Sequence, residues 1–366
     1  MSKEFGKILV VQQKMIGDVL TSTILLEALR EKYPKAELHY LVNSHTVPVL
    51  ENNPFIDKLV LFTPEVEKSK LEFFRFLKKI RKEKYDVVID VYGKISSNLI
   101  TLFSGAQIRI GEQKSHTKWI YSQIVKNSKQ SSGQHNLAVE NRLGLLKPLD
   151  IEINHDVQPK IYLSEKEISE GKKIMLANDI NFDNTVLMIS LLGSSKEKTY
   201  PLAYMAKLLD TIVDRNNNVH LIFNYFPSQI EEASGIYDLC HEKTRNRIWF
   251  DLYATDLRKF LSFVFHCDAV IGNEGGAINM AKALNIPTFA VFSPWVRKEI
   301  WGNKNNPNHI GVHLRDYKPE FFQNYNRKKF KANQKQLYAE FKPSLFQEAL
   351  AKFIETLNDK NQNLSK

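Results

Sequence analysis

Eight apolar runs of strand length recur along this chain, with helix-patterned stretches interspersed. They read KILVVQ (7–12), ELHYLV (37–42), KLVLF (58–62) and DVVIDV (86–91). Then come TVLMISLL (185–192), VHLIFNY (219–225), DAVIGN (268–273) and TFAVFS (288–293). Runs this continuously apolar belong to strands buried on both faces, as in parallel sheets covered by helices. The expected fold class is therefore α/β.

The chain has 366 residues, more than one hydrophobic core usually organises, so two domains are expected. The two groups of runs are separated by a stretch from about 146 to 184 holding KPLDIEINHDVQPKIYLSEKE and a polar helix. We place a first domain at 1–165 and a second at 166–343. A closing helix and tail at 344–366 follow, with Phe346, Leu350, Phe353, Ile354 and Leu357 on one face and a frayed polar end, NDKNQNLSK.

Composition narrows the function classes. Hydrophobic residues at 43% and charged residues at 25% are globular values. No apolar run approaches the length of a membrane span, and the N-terminus lacks the apolar core and cleavage site of a signal peptide, so a cytoplasmic location is expected. Cys240 and Cys267 lack metal-ligand spacing and read as reduced thiols; no metal site is expected. The net charge of +10 suits anionic partners such as phosphates or an anionic membrane surface. Nucleic acid is not expected, because no recognisable binding module accompanies the charge. Clusters occur at Lys78, Lys79, Arg81, Lys82 and Lys84 and at Arg327, Lys328, Lys329 and Lys331, each equally readable as a solvated helix face.

Three loci carry candidate chemistry. The first is VQQKMIGDVL (11–20), where a strand runs into a loop and then a helix over 18–32. A dinucleotide fingerprint would need more glycines than Gly17, which disfavours a dehydrogenase. Asp18, read as the first helical residue, has two possible roles. It could meet the unpaired N–H groups of its own helix, or act as a general base where α/β proteins place ligands, at the carboxyl ends of their strands. The second locus is DAVIGNEGGAINMAKALNIP (268–287), read as a strand, a Gly-rich turn and a helix from near Ala277. Gly275 and Gly276 would let backbone N–H groups approach a pyrophosphate, and Glu274 would accept hydrogen bonds from sugar hydroxyls. A plain tight connection fits the same glycines. The third is LLGSSKEKTYP (191–201), a small hydroxyl-bearing loop whose Lys196 and Lys198 would face a diphosphate leaving group, or water.

At these residues the chain resembles glycosyltransferase family 9, the ADP-heptose:lipopolysaccharide heptosyltransferases. The similar stretches are KILVVQQKMIGDVLTSTILLEALREKYPKAELHYLV, YDVVIDVYGKISSNLITLFSGAQIRIG (85–111) and GNEGGAINMAKALNIPTFAVFSP. The resemblance implies a GT-B fold, two Rossmann-like domains facing a central cleft, with acceptor on the N-terminal domain and nucleotide sugar on the C-terminal one. It implies Asp18 as base, with Lys14 and Gly17 of the same loop toward the acceptor. Donor contacts would come from Ser194 and Lys198 to the diphosphate, Glu274 to the sugar, Gly275 and Gly276 through their backbone, and Asn279. The family signature commonly ends in histidine where Asn279 stands, often has Ser or Thr in place of Gly275, and often carries a carboxylate that FNYFPSQIEE lacks. We place no counterpart for the segment 300–335 in the family pattern.

The expected activity is inverting, metal-independent transfer of heptose from ADP-heptose to a lipopolysaccharide core acceptor, without a cofactor and in peripheral contact with the inner membrane. Two alternatives stay open: transfer of another activated sugar to a different surface glycan, and a noncatalytic sugar-nucleotide-binding homologue.

Overall fold

The computed structural model of the protein describes every residue except 1–3, 115–116, 134, 154, 156, 303–305 and 365–366, with side chains described as far as residue 357. The chain divides into two compact units, Met1–Tyr162 and Leu163–Lys366.

The first unit carries β1 (Lys7–Val11), β2 (Glu37–Asn43), β3 (Lys58–Phe62), β4 (Val87–Asp90), β5 (Ile108–Glu112) and β6 (Gln123–Val125). They form one parallel sheet in the order β3-β2-β1-β4-β5-β6. Its central strands are buried on both faces, as the unbroken apolar runs require. On one face, Leu9, Val11 and Val88 pack with Phe76, Leu77 and Ile80 of the helix Lys70–Lys82. The other face meets the helix Ile16–Lys32, where the Tyr40 hydroxyl donates to the Val19 carbonyl over 2.7 Å.

The second unit repeats the plan with β7 (Thr185–Ser190), β8 (Val219–Asn224), β9 (Ile248–Trp249), β10 (Ala269–Asn273), β11 (Thr288–Val291) and β12 (His309–Val312). Their order is β12-β11-β10-β7-β8-β9, again all parallel. The helices Leu202–Arg215 and Gln347–Leu364 share its core, the latter through the buried Phe353, Ile354 and Leu357. That helix continues to Leu364, so most of the stretch read as a frayed tail is helical backbone; residues 365–366 lie outside the described residues.

In each sheet the chain builds outward from its first strand and then returns to build on the other side. The reversal falls between β1 and β4 in one unit and between β7 and β10 in the other. Loops leaving the carboxyl ends of those paired strands part at that point and leave a crevice, the place where open α/β sheets hold ligands. All three sequence loci leave such strands. Four strands went unread: β5, β6, β9 and β12. They are short or half-exposed, and β5 carries Arg109 at its second position. The helix start was also misplaced. It begins at Ile16, which puts Asp18 third in the helix, and the residue before the helix, Met15, makes no side-chain cap.

Within β10, Gly272 has φ +133° and lies against its β7 partner, so a Cβ there would come within 2.3 Å of the Ser190 carbonyl oxygen. Both the backbone conformation and the close approach exclude a side chain. Gly272→Ala is expected to destabilise the protein by about 2–3 kcal/mol in urea unfolding; a variant as stable as the wild type would show that the two strands are spaced more loosely.

Candidate active site

In the first unit the sequence around Asp18 folds so that its carboxylate is held by a partner. Oδ1 accepts from Arg142 Nη2 at 2.7 Å, and no described residue hydrogen-bonds Oδ2. Arg142 is itself fixed: Nε donates to the Ser22 hydroxyl at 2.9 Å and Nη1 to the Ala138 carbonyl at 2.9 Å. Asp18 is thus an oriented carboxylate with one oxygen engaged, about a third exposed at its side chain. Nothing in LAVENRLG (137–144) signals Arg142, because contact across more than 120 positions leaves no local periodicity.

Other groups gather at the same strand ends. The Gln13 amide oxygen accepts from the Ser96 hydroxyl at 2.5 Å, tying the loop after β1 to the start of the helix Ile95–Ser104 that follows β4. Asp90, buried at the end of β4, takes the Gly93 N–H and the Tyr121 hydroxyl, each at 2.9 Å; burial raises its carboxyl above the usual range. Gly17 is the second residue of the helix, its carbonyl accepting from the Thr21 hydroxyl at 2.7 Å. Lys14 lies in the loop as expected, but its ammonium is paired with Glu67 of the helix Pro64–Lys68, so part of its charge is already answered.

In the second unit the loops after β7, β10 and β11 lie side by side, since those strands are neighbours. Asn273, the last residue of β10, joins the first two. Its amide nitrogen donates to the Ser190 and Leu191 carbonyls at 3.1 and 2.8 Å, and its oxygen accepts the Tyr200 N–H at 2.7 Å. Between those anchors the loop folds tightly on itself. A Cβ at Gly193 would sit 2.5 Å from the Lys198 carbonyl oxygen, and Thr199 bridges the Gly193 N–H and the Ser195 carbonyl. This fold presents Lys198 half-buried, while Ser194 and Lys196 face water.

The Gly-rich turn behaves differently. Its helix begins at Gly276, with Gly275 as the residue before it, one position earlier than the sequence pattern suggested. A Cβ on Gly275 would meet nothing within 4 Å, and one on Gly276 would meet only a methionine methyl at 3.9 Å. The open space lies where the first unpaired N–H groups of an eight-residue helix begin. Asn279 is half-buried, one turn along, and its side chain bonds no described residue.

Glu274 is buried between these loops. Burial raises its carboxyl pKa, and the charges of Lys198 and Lys282 oppose that rise. Lys282, on the same helix, donates to the Trp301 carbonyl at 3.2 Å. Its ammonium is withdrawn from solvent, and this pushes its pKa down to about 8 despite the nearby Glu274. The sequence reading missed Asn273 and Lys282. Asn273 stood in plain view within GNEGG, whereas Lys282 looks like any basic residue at a helix end.

With the geometry in place, the comparisons are decisive for the family. The sequence profile of glycosyltransferase family 9 (heptosyltransferase) matches residues 73–330. The chain belongs to that family. It is accordingly a glycosyltransferase. A lipopolysaccharide heptosyltransferase 1 of Campylobacter coli is 24% identical over 302 residues, covering 78% of this chain and 83% of that protein. The crystal structure of a family 9 glycosyl transferase from Veillonella parvula superposes with a TM-score of 0.77 at 17% identity, covering 98% of each chain. An E. coli heptosyltransferase solved with ADP gives a TM-score of 0.63 at 16% identity, over 84% of this chain and 93% of that one. The family 9 chain thus has the expected fold class, α/β with the two Rossmann-like units of GT-B.

The buried ammonium gives a signed pH dependence. Between about 8 and the ordinary lysine value of 10.5, the unfolded chain holds a proton that folded Lys282 has released, so this group makes stability rise with pH across that window. The stability of the wild type minus that of Lys282→Met should therefore increase from pH 8 to pH 10 in urea titrations. A difference flat across that window would mean the ammonium is hydrated.

Proposed function

We propose that this family 9 enzyme transfers heptose from ADP-heptose to a lipopolysaccharide core acceptor, with inversion and without a metal ion. Two observations, each within one unit, support the reading: the first unit holds an oriented carboxylate, Asp18, after its first strand, and the second holds a cationic, glycine-lined loop set after β7 and β10. The names of the family and of its relatives support the sugar and the acceptor class.

In this mechanism the acceptor hydroxyl binds the first unit and passes its proton to Asp18 as its oxygen forms the new bond to the anomeric carbon. The bond from that carbon to the diphosphate breaks, and its electron pair leaves on the diphosphate. Arg142 contributes by fixing the carboxylate's direction. In the donor unit, backbone N–H groups at Gly275 and Gly276 receive phosphate oxygens, with Ser194 donating its hydroxyl and Lys198 meeting the charge that develops on the leaving group. Glu274 accepts from sugar hydroxyls, and Asn279 donates to the nucleotide sugar. Lys14, shared with Glu67, and Gly17 border the acceptor. The chain contains no Asp-x-Asp sequence to seat a divalent ion on the diphosphate, and cationic side chains take that part.

The enzyme is proposed to work in the cytoplasm at the inner face of the inner membrane. Among the described residues no helix is long and apolar enough to cross a membrane. The helix Lys70–Lys82 instead exposes Leu71 and Phe74 beside Lys78, Lys79 and Lys82, a surface suited to anionic headgroups.

Two measurements test the chemistry. Asp18→Asn should cut turnover about 100-fold or more with ADP-heptose affinity nearly unchanged; wild-type turnover in the folded variant would remove Asp18 as base. Dialysis against EDTA should leave the rate of ADP release unaltered, and a loss restored by added magnesium or manganese would overturn the metal-free reading.

A further inference from the structure

The segment 300–335, to which the sequence reading assigned no counterpart although the family match extends to residue 330, sends two cations to the donor loops. The helix Arg327–Ala332 is held by Phe330, whose ring packs 5.2 Å from Phe322 and 4.9 Å from Tyr325. Arg327 and Lys331 are four residues apart and so share a helix face. Both reach Trp295 in the loop after β11: the Arg327 guanidinium lies 5.5 Å from the ring centroid and the Lys331 ammonium 5.5 Å. The third cation on that ring is Lys198, at 5.7 Å.

Trp295 is a fixed post. It is buried, its Nε1 donates to the Glu197 carbonyl at 3.0 Å, and its own carbonyl accepts from the Tyr325 hydroxyl at 2.8 Å. Three positive side chains around one ring repel one another, and contact with the ring face offsets only part of that. Among the described residues none of the three forms an ion pair. Glu197 is held below the usual carboxylate range chiefly by the Ser195 hydroxyl and to a lesser degree by the charge of Lys331, with which it forms no ion pair. Lys198 meanwhile acts on Glu274, beside the open Gly275. A cluster of this kind, with cations from one loop and one helix gathered on a ring of another loop beside the open Gly275, suits an anion with several charged oxygens.

We propose that Arg327 and Lys331 are substrate-contacting residues that complete, with Lys198, a three-cation clamp on the diphosphate of the donor. The inference rests on the donor reading above for the position of the diphosphate. A guanidinium can grip two phosphate oxygens at once, and the two ammonium groups supply point charges.

The test is calorimetric titration of ADP, adenosine and inorganic pyrophosphate into wild type, Arg327→Gln, Lys331→Gln, the double variant and Lys328→Gln, which alters the same helix away from Trp295. Each single change is expected to weaken ADP binding about 10-fold and the double change about 100-fold, with a shallower salt dependence. Adenosine binding and Lys328→Gln should be unaffected. ADP affinity unchanged in the double variant would overturn the clamp, as would an equal loss for adenosine or a change confined to the KM of the acceptor. If wild type binds pyrophosphate but not ADP, the adenine-nucleotide reading fails while the clamp is judged on pyrophosphate; binding of neither overturns the clamp too.

Discussion

One side chain, that of Asn273, holds the second unit's site together. Its amide spans from the end of β10 to two carbonyls at the end of β7 and to the N–H of Tyr200, where the following loop returns to the fold. These bonds are buried, where a backbone group left unpaired costs about 1–3 kcal/mol. The Ser190 hydroxyl donates back to the Asn273 carbonyl, so the link runs both ways. The position of Lys198, the direction of the Gly-rich turn and the burial of Glu274 all follow from this junction. It sits where the strand order reverses, which is where an open sheet leaves room for a ligand.

The first unit solves a related problem with charge in place of an amide. Asp18 is kept in one orientation by Arg142, which is kept in place by Ser22 and Ala138. Ser22 is one turn beyond Asp18 on the same helix, so the helix supplies both the carboxylate and part of its support. A base that must meet an incoming hydroxyl loses less on binding when its rotamer is already chosen.

Much of the fold was legible because parallel strands buried on both faces write themselves as unbroken apolar runs. The eight runs mark seven of the eight inner strands, β5 being missed, and the edge strand β3. The other three edges were not legible: β6 and β9 have three and two residues, and β12, with two histidine-flanked apolar positions, looks like loop. The motifs placed Asp18, Lys198, Glu274, Gly275 and Gly276 at strand ends, since loop position follows from strand position. What sequence could not supply were partners distant along the chain. Arg142 is 124 positions from Asp18, and Trp295 nearly 100 from the loop it braces. Nor did the basic run at 327–331 distinguish itself from a solvated face, because the ring that organises two of its members belongs to another loop.

The glycines of β10 and its turn divide two kinds of constraint within five residues. Gly272 is demanded by the chain itself, whose neighbouring strand leaves no room for a methyl group. Gly275 and Gly276 are not; a Cβ there would meet nothing closer than a methionine methyl at ordinary contact distance. Selection for a foldable protein and selection for a working one therefore act on different letters of the same short word. A lineage that lost its sugar nucleotide would be free to change the last two while the first stayed fixed.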